Sequence, residues 1–258
     1  MLTHKQNHRY FFKIKSLIKL YILSSLMMLT NQIYGQDKSG GEAFYTWLSG
    51  TGTTNEAVAP HFKLRFNQNE SRFFCINDDD DIPFTLQFVL AKNKNIYTDR
   101  KTKKMLEAKK GFKKVKMFLI ESKLEPRDWE ITKETKKIGN YTCYKATTSR
   151  DIYEGGWFLF KEHAEAWYTE SIPFSFGPER YGGLPGLILE LKIKRLKEDV
   201  FKISYLELLE NIEIIEPTDG ELVLYKDYDD NIKKMYDEAE LKLKKMDKDK
   251  QEKEKKNK

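Results

Sequence analysis

Four groups of side chains in this sequence could carry chemistry: two cysteines, a histidine between glutamates, a run of aspartates and a run of lysines. Cys75 and Cys143 sit in Phe73-Phe74-Cys75-Ile76 and Tyr141-Thr142-Cys143-Tyr144. In such apolar surroundings a thiol behaves as a small hydrophobe, whereas in an oxidising compartment the pair could also form a disulfide if their Cα atoms came within about 7 Å. In Glu162-His163-Ala164-Glu165, strand geometry puts His163 and Glu165 on one face, the arrangement of a ligand or general base. A partly exposed structural histidine is the simpler reading. Past residue 35 the histidines are His61 and His163, and neither HExxH nor a paired-cysteine motif occurs. That argues against zinc, and no metal or cofactor is expected. Asp78-Asp79-Asp80-Asp81 lacks the spaced ligands, glycine and closing glutamate of a calcium loop, so it reads as a turn before Ile82-Pro83.

Eight lysines between Lys101 and Lys116 could meet an acidic partner or lipid headgroups, but few aromatics accompany them, so a solvated face is expected. No GxSxG elbow, phosphate loop or dinucleotide fingerprint is present, and Ser, His and Asp are too scattered to nominate a triad. No catalytic residue is therefore named. A hydrolase remains the alternative, and it requires His163, Glu165 and a further acid or nucleophile to converge in one cleft.

The elements that must position these groups read mostly as strands. Phe62, Leu64 and Phe66 alternate with polar neighbours, as do Val115, Met117 and Leu119, then Leu187, Leu189, Leu191 and Ile193. Phe201, Ile203 and Tyr205 continue that last pattern across Arg195 to Asp199, which predicts a hairpin. A second hairpin is predicted for Tyr141 to Ser149 and Trp157 to Lys161, turning through Tyr153-Glu154-Gly155-Gly156. Helix is expected only at Asp99 to Gly111 and at the C-terminus, where Ile232, Met235, Tyr236, Ala239 and Leu243 recur at helical spacing. The fold class expected is mostly β with minor α: a single antiparallel, strongly bent sheet or partial β-barrel, with a C-terminal helix. A half-barrel like that of lipoprotein carriers would fit by analogy of strand pattern and compartment.

Between the strands, Leu184-Pro185-Gly186-Leu187 suits a type II turn, with Pro185 presetting φ and Gly186 supplying a positive φ. Gly182 and Gly183 precede it, and Pro173, Gly177 and Pro178 stiffen an aromatic stretch upstream. A loop that plugs or caps the sheet is expected, and Gly186→Ala should destabilise the fold.

Compartment follows from the N-terminus. Lys5, Arg9, Lys13, Lys15 and Lys19 stand without any acidic residue before an apolar stretch, Leu20 to Leu29, that is far short of the ~20 residues of a bilayer span. Residues 1–35 therefore read as a signal peptide cut after Gly35, although Ile33 is large for the usual small-residue site. Removal lowers the formal charge from +6 to +1, which argues against nucleic acid as partner. Residues 36–225 form the β-rich domain in this reading, with 226–258 a charged helical or disordered tail.

The string Tyr181-Gly182-Gly183-Leu184-Pro185-Gly186-Leu187-Ile188 carries the signature for which the GLPGLI family is named. Blocks at His61 to Phe73, Trp129 to Ala146 and Ala166 to Pro178 resemble the same family in the same order. The resemblance implies an exported bacterial protein of unknown biochemical activity and transfers no catalytic residue. The long charged tail and the lysine-rich segment depart from the pattern. Together these readings lead to an exported, periplasmic or surface-associated envelope protein without a transmembrane span once the signal is cut. It would be a non-enzymatic binding or accessory module for an apolar or peptide ligand, or for an envelope partner such as an outer-membrane transporter or receptor.

Overall fold

The computed structural model of the protein describes residues 38–50, 59–76, 91, 94–110 and 117–256. The export segment 1–35, Asp78–Asp81 and Lys113, Lys114 and Lys116 lie outside them. Two meanders build one open, bent sheet. The first comprises β1 (Gly40–Ser49), β2 (His61–Asn67), β3 (Glu70–Cys75), β4 (Asn95–Asp99), β5 (Lys104–Lys110) and β6 (Met117–Lys123). The second comprises β7 (Glu130–Ile138), β8 (Tyr141–Glu154), β9 (Trp157–Thr169), β10 (Leu187–Lys194) and β11 (Glu198–Leu209). β11 pairs antiparallel with β1 and so fuses the meanders, while β12 (Glu221–Leu224) adds in parallel beside β6. The order is β12-β6-β5-β4-β3-β2-β1-β11-β10-β9-β8-β7. Helix α1 (Tyr225–Lys256) follows.

Alternation accounts for the burial. Phe62, Leu64 and Phe66 on β2, and Leu187, Leu189, Leu191 and Ile193 on β10, are fully buried. They join Tyr45, Phe73 and Phe201 in a core where Phe62 and Phe73 stack with ring centroids 4.9 Å apart. Register shifts at Phe44/Tyr45, Ile131/Thr135, Ile152/Tyr153 and Ile188/Glu190 insert extra residues that sharpen local twist and bend. The first of these turns Tyr205 outward, against the alternation begun at Phe201 and Ile203, and its ring lies edge-on to Phe44 at 5.7 Å.

Both predicted hairpins form, β10–β11 and β8–β9. The second turns at Gly155 and Gly156, with φ of 59° and 81°, as a two-residue turn requires. The helix expected over Asp99 to Gly111 is instead the β4–β5 hairpin. Asp99 caps its turn by accepting hydrogen bonds from the amides of Lys101 and Thr102, and Lys103 takes a left-handed φ of 57°. Met, Leu, Glu and Lys favour helix intrinsically, but pairing with β4 and β6 buries Leu106 and Ala108 on one face and overrides that preference.

β6 buries two successive residues, Leu119 and Ile120, because both its faces are covered. Leu119 packs with Ile212 and Ile214, and Ile120 with Tyr228 and Ile232 of α1. The first turns of α1 thus dock on the sheet, and Asp229 accepts the Gly155 amide at 2.7 Å. Farther along, Leu241, Leu243 and Met246 are exposed. Among the described residues no helix is long and apolar enough to cross a membrane.

Candidate functional site

The 170–186 connection between β9 and β10 packs back onto the sheet. Ile172, Phe174, Phe176, Tyr181 and Leu184 enter the same core as the strand side chains. Backbone bonds zip the loop to itself and to β10: Leu187 N donates to Ile172 O at 3.0 Å, Ile188 N to Phe176 O at 3.0 Å, and Gly183 N to Ser175 O at 3.0 Å. Side chains from two other elements hold the loop and the start of β10. Trp129 Nε1 donates to Gly182 O at 2.9 Å, and Tyr45 Oη to Ile188 O at 2.6 Å. The expected plug is present, but the glycines act differently from the type II turn predicted. Gly183, with φ of 87°, has the left-handed backbone, whereas Gly186 does not. Gly186 is needed for close approach: a Cβ there would lie 1.9 Å from the Thr169 carbonyl oxygen. Pro185 still presets the backbone entering β10.

Under this loop lies a group of buried charges. Glu179 has a left-handed φ of 54° and is buried; its carboxylate accepts hydrogen bonds from Lys94 Nζ and, at 2.7 Å, from Arg195 Nη2. Glu162, also buried, accepts from Arg195 Nε at 2.8 Å and Arg150 Nε at 3.2 Å, with Arg127 Nη1 at 3.7 Å. Asp199 receives Trp47 Nε1 at 3.1 Å and Arg195 Nη1 at 3.4 Å. Burial alone would raise both glutamates. The charge and hydrogen bonds of Arg195 outweigh it at Glu162, which is held down at about 2, and Lys94 and Arg195 hold Glu179 well below the usual carboxylate range. Burial acts without that degree of compensation on Arg127, lowering it to about 10.

Arg127 comes from the 124–129 connector before β7. Its guanidinium lies 3.8 Å from the Tyr181 ring centroid, and its side chain is only 8 % exposed. There it walls a cleft of about 530 Å³ together with Arg100, Lys103, Lys123, Arg180 and the Gly182–Gly183 backbone. Glu125 and Glu179 are the acids of its lining. Arg100 Nη1 donates to Ser175 O at 3.0 Å, and Arg180 lies 3.8 Å from Glu107. Arg127 Nη2, buried here, has no hydrogen-bond partner, whereas the Tyr181 hydroxyl is turned to Glu162 and helps to hold that carboxyl down.

The groups singled out by type in the sequence are placed elsewhere. His163 and Glu165 do share a face of β9, in a shallow depression with Asp128, Glu130 and Ser149; Ser149 stands opposite His163 in the β8–β9 ladder. Glu165, however, is committed to Lys145 at 3.1 Å and to Trp167 Nε1 at 3.1 Å. Burial would raise it, but Lys145 and Trp167 lower it, and it stays a charged structural partner rather than a proton donor. Among the described residues no cluster of His, Cys, Asp and Glu has the form of a metal site. Cys75 and Cys143, for which the sequence allows a bridge, are both thiols, with Cys143 buried. His61 on β2 has its Nδ1 3.5 Å from Thr46 Oγ1. The described lysines do not form one face: Lys104 pairs with Glu216 at 2.6 Å, Lys109 lies over the Tyr228 ring, and Lys103 lines the cleft.

Sequence reasoning missed Arg127, Arg180, Arg195 and Glu179. The usable signal was charge inside apolar punctuation, as in Phe176-Gly177-Pro178-Glu179-Arg180-Tyr181, where a loop that packs on a core must bury some of its charges.

Fold and site together define an open, mostly antiparallel sheet whose concave side is filled by its own loop, with a cationic cleft at the loop's margin. A family profile described as a protein of unknown function (Porph_ging) matches residues 129–165 and 159–190, the stretch that holds both the Trp129 block and the signature loop. No curated protein matches the chain. Among solved structures it is similar to PNGF-II in two crystal forms, at 18 % and 17 % identity with TM-scores of 0.50 and 0.49. The alignments cover 75 % of this chain and 32 % and 33 % of PNGF-II, so the chain spans about a third of that protein's length. The lipoprotein LppX of Mycobacterium tuberculosis aligns over 75 % of this chain and 98 % of its own, at 10 % identity and a TM-score of 0.28. Of these likenesses, the first supports a shared fold.

Proposed function

We propose that this is an exported, GLPGLI-type protein of the cell envelope, periplasmic or surface-associated, acting as a non-enzymatic binding module. Its binding site is the cleft between the signature loop and the 124–129 connector. The observation that carries this reading is the division of labour within the loop. Its aromatic side chains fill the concavity that an apolar cargo would need, while its Gly182–Gly183 edge and Tyr181 face a cleft walled by cations. The N-terminal charge pattern supports export, and an envelope transporter or receptor is the expected kind of partner.

The test is affinity capture of the tagged mature chain from native envelopes, beside a variant carrying Lys103→Glu and Lys123→Glu, two changes at the cleft rim that leave the buried ion cluster intact. A specific partner or ligand lost from the variant supports the reading; equal recovery by both chains contradicts it. The hydrolase alternative draws on the meeting of His163, Glu165 and Ser149 in one depression. It requires a turnover that His163→Ala abolishes.

A further inference from the structure

The cleft bears on the class of ligand, resting on the binding-module reading above. Five cationic side chains line it, and its two acids are already engaged: Glu179 by Lys94 and Arg195, Glu125 by Lys123 at 3.3 Å. Arg127 is the unusual member. An arginine whose side chain is only 8 % exposed normally spends its planar fork on a bidentate carboxylate. Here the nearest carboxylate, Glu162, is 3.7 Å away and already holds Arg195 and Arg150 at shorter distance, while Nη2 has no partner at all. An unmet guanidinium donor in a lining where five cations stand against two engaged acids is complementary to an acceptor that the protein does not itself supply.

The Gly182–Gly183 edge of the cleft is kept bare. Gly183 has a positive φ, and a Cβ built there would meet nothing within 4 Å, so the backbone borders open space. The volume, about 530 Å³, is that of a small-molecule site rather than of a single ion. We infer that this cleft binds a small organic anion, an oxyanion-bearing ligand whose carboxylate or phosphate group is gripped by Arg127 Nη2, with Arg100 and Lys103 adding charge at the entrance. Arg127 is then a binding residue, and the loop signature preserves the wall that the ligand passes. An anion seated there would supply the acceptor that Arg127 Nη2 lacks and would offset the repulsion among the cations.

Titration calorimetry on the full mature chain with citrate, inorganic phosphate and trimethyl citrate tests this. Citrate, phosphate or both should bind saturably, and the neutral ester should not; which of the two anions binds separates carboxylate from phosphate as the recognised group. Arg127→Lys keeps the charge and removes the fork, and should weaken binding about tenfold or more. Lys103→Asn suits the left-handed backbone and should weaken it by about twofold to fivefold. Thermal melts accompany each variant. If Arg127→Lys fails to fold, Lys103→Asn combined with Lys123→Gln decides, and unchanged affinity overturns the inference. Absence of saturable binding of either anion overturns it, as does equal binding of the neutral ester. Should envelope capture still depend on the cleft rim while no anion binds, this inference fails and the binding-module reading survives. Anion binding without any envelope partner leaves the inference standing and removes the partner.

Discussion

The cleft under the signature loop and the depression around His163 both gather carboxylates and cations, and they handle them differently. Around His163 the groups are strand side chains in reach of water: His163 is exposed, and Glu165 shares its charge with Lys145 at the surface. Beside the cleft, Glu162 and Glu179 are almost sealed from solvent and depend on Arg195, Lys94, Arg150 and Arg127. Desolvation separates the two regions. The residue types that announce chemistry most readily sit where water screens them, and ordinary arginines and glutamates become the demanding groups once a loop lies over them.

The comparison breaks most visibly on stability. Glu179→Ala leaves Arg195 and Lys94 without their shared acceptor and should cost about 3–5 kcal/mol in denaturant unfolding. A loss below 1 kcal/mol would mean that the pair is hydrated. Gly186→Ala forces a Cβ toward the Thr169 carbonyl and should cost about 1–3 kcal/mol by the same measurement. Acid should expose the same asymmetry. Glu162 is held at about 2 against 4.5 when unperturbed, so its contribution is complete above about 4.5 and disappears as pH falls toward 2. A Glu162→Gln variant should therefore be less stable at neutral pH and show a flatter acid limb in a melting-versus-pH series. At the small end, Glu165→Ala removes a partly exposed pair and should cost about 0–1 kcal/mol. His163→Ala should stay within about 0.5 kcal/mol of the parent by thermal melt.

Strand periodicity made much of the sheet legible in the sequence. Phe62, Leu64 and Phe66, and the apolar run of β10, show their faces because one side is buried and the other is not. Gly155-Gly156 marked its hairpin because only glycine takes that backbone readily. The reading failed where neighbours distant in sequence decide. Leu106 and Ala108 become strand residues by pairing with β4 and β6, and Leu119 and Ile120 are both buried because Ile212 and Ile214 cover one face of β6 and α1 the other. The signature loop was legible as a plug, but not which glycine bends and which merely permits contact, since Thr169 is positioned by β9. The candidate site was the least legible. Arg127, Glu162, Glu179 and Arg195 come from four separate segments, and the burial that makes them informative belongs to the folded loop rather than to any local pattern.

Chemical-shift mapping of the isotope-labelled mature chain during titration with citrate tests the central claim most directly. The account predicts saturable shifts concentrated at Arg127, Tyr181, Gly182 and Gly183, with Ser149, His163 and Glu165 unmoved. Shifts that cluster instead around His163, or that spread evenly over the surface lysines without saturating, would contradict it.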